Sequence, residues 1–314
     1  MKIIKIIQEI LKLHKIGFPN SSFKRLCEID AKNLYYALKN IQNKERELDQ
    51  YKNLNLSHMW SQYNSHLEFQ HKFYSKKDYL FSPVIKAVTG GFHTDIKYKI
   101  EIKEQLEKVK IVSYNLEKAF PSITFSQWYN ALSITLGIIN HFNKDKIDLY
   151  SKLKDLAIIE FGPGSGIHSL LYQSISNNTH ILYDLPQMQT IQKFLINKYF
   201  SDDIKKLNKF HYFTDLQNLD KFLDGRKFCF ISQWAFSETP MSLRLLFEKI
   251  LFKSDFAMFT SNAVMSGVDN NKYFNDLSKK LSNHTYINKY LDGMTDELPN
   301  FMKKHKIHLF YKDN

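Results

Sequence analysis

The chain has 314 residues, 43% hydrophobic, 15% aromatic and 24% charged, with 10 Gly and 7 Pro. That suits a self-supporting core and excludes collagen-like, low-complexity and largely disordered chains. The net charge is +12, from 44 Lys plus Arg against 32 Asp plus Glu, yet the chain holds just four arginines, Arg25, Arg46, Arg226 and Arg244. Lysine lacks the planar fork that reads guanine and clamps phosphate, so the excess is read as a solvated basic face. No nucleic-acid partner is expected; a long-range pull on anionic substrates is. Cys27 and Cys229 match no metal or redox spacing, and no apolar run reaches the roughly 18 to 20 residues of a membrane span. A reducing cytoplasm, without signal peptide or membrane span, is the expected compartment.

Residues 1–16 place Ile3, Ile6, Ile7, Ile10, Leu11 and Leu13 at helical spacing, which predicts an amphipathic helix whose apolar stripe packs on the core or on a second subunit. Helical patterns also cover about 28–48 and 97–111, with a turn at Gly90-Gly91 between them. FSQWYNALSITLGIINHF (125–142) reads as a buried helix, followed by the lysine-rich connector NKDKIDLYSKLKD. We place a boundary in that connector, giving a helical region over 1–150 that serves as lid, substrate wall or homodimer surface, and a second domain over 151–314.

From 156 onward short apolar strands alternate with helices, the signature of an α/β, mainly parallel sheet covered on both faces. Strands are predicted at 156–161, 179–184, 209–213, 227–232, 255–260, 284–290 and 305–312, and helices at about 166–176, 187–199, 240–252 and 270–282. The last two strands follow one another without an obvious helix, so one is expected to run antiparallel.

Three glycines fall within five residues, in Glu160-Phe161-Gly162-Pro163-Gly164-Ser165-Gly166, between a predicted strand and a predicted helix. Such a turn lets backbone approach a ligand closely and offers the donors of a helix N-terminus, although a tight packing turn needs the same residues. The next strand ends at Asp184, 18 residues after Gly166, where a carboxylate can accept hydrogen bonds from a ribose diol. The third is followed by Asp215-Leu216, where an acid can accept from an adenine amino group. Three sites at successive strand ends point to the carboxyl edge of the sheet. A dinucleotide fingerprint wants G-x-G-x-x-G, whereas this chain has G-x-G-x-G preceded by Glu160, an acid suited to a cationic ligand.

In these motifs the chain resembles the class I S-adenosylmethionine-dependent methyltransferases, over about residues 155–312. EFGPGSG, then YDLPQMQTIQKFLINKYF, then FISQWAFSETP, behind a helical N-terminal half, look most like the bacterial sugar O-methyltransferase family. The resemblance implies a Rossmann-like seven-stranded sheet, S-adenosyl-L-methionine as cofactor, and methyl transfer to a sugar hydroxyl of a surface glycan or its nucleotide-sugar precursor. By that resemblance Glu160, Gly162, Gly164 and Gly166 are carried over to the methionine end, Asp184 and Leu185 to ribose and adenine, and Asp215 with Leu216 to the adenine rim. Pro163 departs from the freer residue usual there: it fixes one φ and removes one donor. Gln233 and Trp234, where the fourth strand exits, fall beside the expected sulfur.

Methyl transfer to a hydroxyl needs a general base. The region after the fourth strand holds a histidine in plant-type O-methyltransferases, but none lies between Lys227 and Pro240 here, and Glu238 is the nearest acid or base. Stabilising the helix that follows is the alternative role for Glu238. His168, just past the glycine loop, and His93, beside Gly90-Gly91, are the other catalytic candidates; each has a packing alternative. Tyr114 and Trp128 are read as core more readily than as sugar platforms. No metal site is expected: His66 with His71, and His305 with His308, lack chelating geometry, although dispersed carboxylates can bind Mg²⁺ without a motif. The rival readings are a nucleic-acid methyltransferase, a catalytically silent cofactor-binding scaffold, and a nicotinamide oxidoreductase.

Overall fold

The computed structural model describes residues 153–164, 166–265, 267–290 and 304–312. The predicted N-terminal helices, the boundary near 150, His93, Tyr114, Trp128, His66 and His71 lie outside the described residues.

Seven strands form the main sheet: β1 (Ala157–Phe161), β2 (His180–Tyr183), β3 (Phe210–Phe213), β4 (Phe228–Gln233), β5 (Phe256–Ser261), β8 (Thr285–Tyr290) and β9 (Lys306–Tyr311). Their order is β3-β2-β1-β4-β5-β9-β8. The first five are parallel, and β9 runs antiparallel to both β5 and β8. The expected terminal reversal is therefore present, and the domain is a Rossmann-like α/β sheet. A small hairpin, β6 (Val264–Met265) with β7 (Val268–Asp269), follows β5.

Helices fill the crossovers: α1 (Ile167–Ile175), α2 (Pro186–Tyr199), α3 (Ile204–Leu207), α4 (Leu216–Leu223), α5 (Ala235–Glu238), α6 (Met241–Lys253) and α7 (Asn270–Lys280). The parallel strands are buried on both faces, which is why FAMFTS of β5 is apolar or small throughout and buried at every position. One face carries an aromatic core. Phe161 meets Phe236 edge-on at 5.3 Å and Phe247 at 4.9 Å, and Phe259 packs on Phe274 at 5.0 Å, joining β1, β4 and β5 to α4, α6 and α7. The other face bears Glu160, His180 and Leu182, against α1 and α2. Asn178 ties down the approach to β1 by donating to the carbonyls of Leu153 and Leu156, both at 2.8 Å.

Two features fix the carboxyl edge. β1 has β2 on one side and β4 on the other, so the loops after β1 and β4 diverge across a topological switch point, where open α/β sheets bind ligands. Those loops touch: a Cβ on Gly162 would stand 2.2 Å from Cβ of Ala235, and Gly162 holds φ +62°. Glycine is required there on both counts.

Candidate functional site

All three loop glycines adopt positive φ, at +62°, +59° and +75° for Gly162, Gly164 and Gly166. The turn is closed by the Gly166 N–H donating to the Pro163 carbonyl at 2.9 Å. Pro163 thus stiffens the loop and still supplies an acceptor to it. Gly166 is the N-cap of α1 and offers no side chain, leaving the helix N-terminus without a side-chain cap. That terminus is suited to anionic or hydrogen-bond-accepting groups.

Asp184 anchors the loop to the end of β2. Its Oδ2 accepts from the Gly164 N–H at 3.1 Å and from Gln192 Nε2 at 2.9 Å, and its Oδ1 accepts from the Leu185 N–H at 2.8 Å. Burial pushes its pKa up to about 7 despite these three donors, and Glu160 adds repulsion. A carboxylate has about four acceptor positions, so one remains, on Oδ1. The diol chelation expected from sequence therefore reduces to a single acceptor while the loop keeps this conformation. Leu185 caps α2, with Pro186 in its first turn, and so turns the chain directly behind Asp184.

Glu160 and His168 come together. His168 Nδ1 lies 3.2 Å from Glu160 Oε1, both side chains are buried, and Ser169 Oγ donates to Glu160 Oε2. Burial alone would raise the pKa of Glu160, but His168 and these hydrogen bonds outweigh it and hold the carboxyl below its usual range. The pair staples the first turn of α1 to β1, beneath the glycine loop. His180, farther along the same face, is driven down to about 3 by burial, and neither of its ring nitrogens has a hydrogen-bond partner among the described residues.

The loop after β4 is held from two sides. Trp234 is the one non-glycine residue with positive φ (63°) among the described residues. Its indole donates to His305 Nδ1 at 2.9 Å. Because an indole N–H can only donate, His305 must accept at Nδ1, which places the proton of the neutral ring on Nε2. Glu238 ends α5, and its backbone N–H donates to the Trp234 carbonyl at 3.1 Å. Its half-buried carboxyl is raised in pKa by burial. Glu238 is the acid of the single-turn α5, and it lies two residues before Pro240, the N-cap of α6, whose own first turn holds no acid. The carbonyls on either side of Glu238 are gripped by buried Arg244: Nη2 donates to Ser237 O at 2.5 Å, Nε to Thr239 O at 2.9 Å, and Nη1 to Asn270 Oδ1 at 2.6 Å.

Other residues expected in the site sit at its margins. Asp215 is exposed and caps α4 by accepting from the Asn218 N–H at 2.8 Å, and half-buried Leu216 packs against the aromatic core. Gln233 is the half-buried last residue of β4. His308 belongs to the sheet interior, with Nε2 2.8 Å from Ser261 Oγ and Nδ1 2.8 Å from Tyr286 Oη. Gln192, Arg244 and His305 were not expected. The signal for Gln192 was a glutamine on the buried stripe of α2 beside Met188, Leu195 and Ile196; His305 meets Trp234 across 71 residues, which no local pattern reveals.

No family model and no curated protein matches the sequence. Among solved structures the chain is similar to the methyltransferase domain of bacterial CtHen1 (12% identity, TM-score 0.42, covering 56% of this chain and 99% of that one). It is also similar to an rRNA methylase from Streptococcus thermophilus (15%, 0.36, 55% and 96%). A presumed O-methyltransferase from Nostoc punctiforme PCC 73102 is a third (10%, 0.37, 67% and 71%). The fold assignment rests on the strand order and terminal reversal described above.

The residues present fit a nucleoside cofactor with an amino-acid tail. The uncapped α1 N-terminus suits the tail's carboxylate, and Asp184 retains an acceptor for a ribose hydroxyl.

Proposed function

We propose that this protein is an S-adenosylmethionine-dependent O-methyltransferase acting on a sugar hydroxyl of a bacterial surface glycan or its nucleotide-sugar precursor. The observation that carries the cofactor half is the direct link between the glycine loop and the acid at the next strand end, Gly164 N–H to Asp184 Oδ2, at the carboxyl edge beside the switch point of the sheet. Gly164, Gly166, the α1 N-terminus and Asp184 would hold S-adenosylmethionine, with Leu185, Leu216 and Trp234 as apolar walls and Asp215 at the adenine rim. When bound, the cofactor supplies a methyl group on a sulfonium that departs as a neutral thioether.

Glu238 is the base this reading favours. Its raised pKa makes it a stronger proton acceptor than an ordinary carboxylate, and it makes no ion pair among the described residues. The acceptor hydroxyl oxygen gains the methyl group and its proton passes to the Glu238 carboxylate. Arg244 holds both flanking carbonyls, so this carboxylate rides on a fixed loop. His168, turned onto Glu160, serves loop placement. The sugar half rests on the motif resemblance and on the need for a base at this edge. Among the described residues no helix is long and apolar enough to cross a membrane. A cytoplasmic enzyme whose N-terminal region serves as lid, substrate wall or homodimer surface is part of the same proposal.

Transfer of a radiolabelled methyl group from S-adenosylmethionine to a panel of nucleotide-sugars and short glycans tests the proposal, with tRNA and rRNA as competing acceptors. Alkali-stable label on a sugar supports it. Label on RNA alone, or S-adenosylhomocysteine binding with no acceptor anywhere, overturns the sugar assignment in favour of an RNA enzyme or a silent scaffold.

A further inference from the structure

Gln192 is wholly buried on α2, and its side-chain amide makes two bonds into the site: Nε2 donates to the Gly164 carbonyl at 2.8 Å and to Asp184 Oδ2 at 2.9 Å. The amide cannot be turned over, since Oε1 would then face two acceptors. Its stem is wedged as well: a Cβ on Gly166 would lie 3.0 Å from Gln192 Cγ. One side chain thus touches the loop carbonyl, the loop's last glycine and the carboxylate at the end of β2. Oε1 is buried and has no partner among the described residues. A buried glutamine with half its amide unsatisfied costs stability, so packing alone does not account for it.

We propose that Gln192 is a positioning residue for nucleoside binding, which locks Asp184 in the one orientation that leaves an acceptor on Oδ1 for the ribose. This rests on the S-adenosylmethionine reading of the site. Donating to the charged form of Asp184, Gln192 also favours its ionisation. The groups facing Asp184 are few. β1 brings Glu160, which is paired with His168 of α1; α2 brings neutral Gln189, whose Nε2 is 3.5 Å from the Asp184 carbonyl, and Gln192; β3 brings the Phe213 carbonyl, which accepts the Asp184 N–H. Without the Gln192 donor, Asp184 must hold its proton to higher pH.

The test compares wild type with Gln192→Leu in two assays. The first is titration calorimetry with S-adenosylhomocysteine from pH 5.5 to 8.5. The second is ¹³C NMR titration of the Asp184 carboxyl in the ligand-free protein. Wild-type affinity is expected to rise about tenfold between pH 6 and 8, following ionisation of a group near pH 7. In Gln192→Leu both midpoints move to higher pH, and affinity at pH 7 falls about threefold while affinity at pH 8.5 changes much less. In an Asp184→Asn background the same substitution changes affinity less than about twofold, because the partner it acts through is gone. If Gln192→Leu does not fold, Gln192→Met repeats the comparison. Unmoved midpoints, or losses that multiply in the double variant, overturn the inference. If wild type binds no S-adenosylhomocysteine, the methyltransferase reading fails, and the NMR titration alone still decides whether Gln192 governs Asp184.

Discussion

The Asp184 carboxylate accepts the backbone N–H of Gly164 at 3.1 Å, joining two loops twenty residues apart in sequence. The acid that would recognise the nucleoside also shapes the loop that would hold the rest of the cofactor. Preorganisation of this kind lowers the ordering cost of binding. Asp184→Ala is therefore expected to weaken S-adenosylhomocysteine binding by more than the roughly 1.5 kcal/mol of one charged hydrogen bond, because the loop loses its anchor too. Calorimetry on the folded variant measures this; unchanged affinity would remove Asp184 from the site.

Ligand-induced stabilisation should depend on pH. Burial raises the folded-state pKa of Asp184 from an ordinary 3.8 to about 7. Its contribution to stability is therefore present at low pH and is lost as pH rises from about 4 through 7, as the buried carboxyl ionises. A ligand that donates to the carboxylate offsets this loss. The rise in Tm caused by saturating S-adenosylhomocysteine should be larger at pH 8 than at pH 6, and an equal rise at both would mean that Asp184 does not meet the ligand as an anion.

Glycines in the loop and elsewhere should separate by what surrounds them. Gly162→Ala combines positive φ with an overlap at Ala235 and should cost about 3 kcal/mol or more. Gly225, at φ +68° with nothing within 4 Å, should lose only about 1 kcal/mol on the same substitution. Urea unfolding of the two variants makes the comparison, and equal losses would place the β1 and β4 loops farther apart than described.

Much of the architecture was legible beforehand. Buried parallel strands are apolar on both faces and are bounded by turns, so β1 to β5 were found within a residue or two, and two strands in succession without an obvious intervening helix foretold the reversal at β9. Short elements escaped. α4 has eight residues, and the spacing did not show that Asp215 caps it by accepting from the Asn218 N–H on Oδ1. α5 is a single turn after β4. Side-chain geometry was not legible, because burial and hydrogen bonding decide it: His168 turns to Glu160, and Trp234 finds His305 across the sheet edge.

Turnover and cofactor affinity should come apart at Glu238 and His168. Glu238→Gln is expected to lower kcat by about 10²-fold or more with S-adenosylhomocysteine affinity unchanged, the mark of a lost base. In wild type the acid limb of the rate profile should fall at a pH above the ordinary carboxylate range, since burial raises the Glu238 pKa. His168→Ala should do the reverse, weakening affinity through the loop while sparing turnover at saturation. Equal kcat in wild type and Glu238→Gln would exclude Glu238 as the base.

Arg244 should be costly to remove. Arg244→Met leaves the Ser237 and Thr239 carbonyls and Asn270 Oδ1 without their donor inside the protein, and about 3 kcal/mol of stability should go with them. Chemical denaturation reads the loss, and a change below about 1 kcal/mol would mean that water or another group takes over these acceptors.

The central claim is that the carboxyl edge around Gly164, Asp184 and Gln192 is an S-adenosylmethionine site. Titration calorimetry of the intact protein with S-adenosylhomocysteine, and with NADH as control, tests it most directly. S-adenosylhomocysteine is expected to bind at micromolar affinity or tighter, and NADH not to bind. Binding of NADH alone would contradict the reading of the glycine loop, and binding of neither would contradict the site itself.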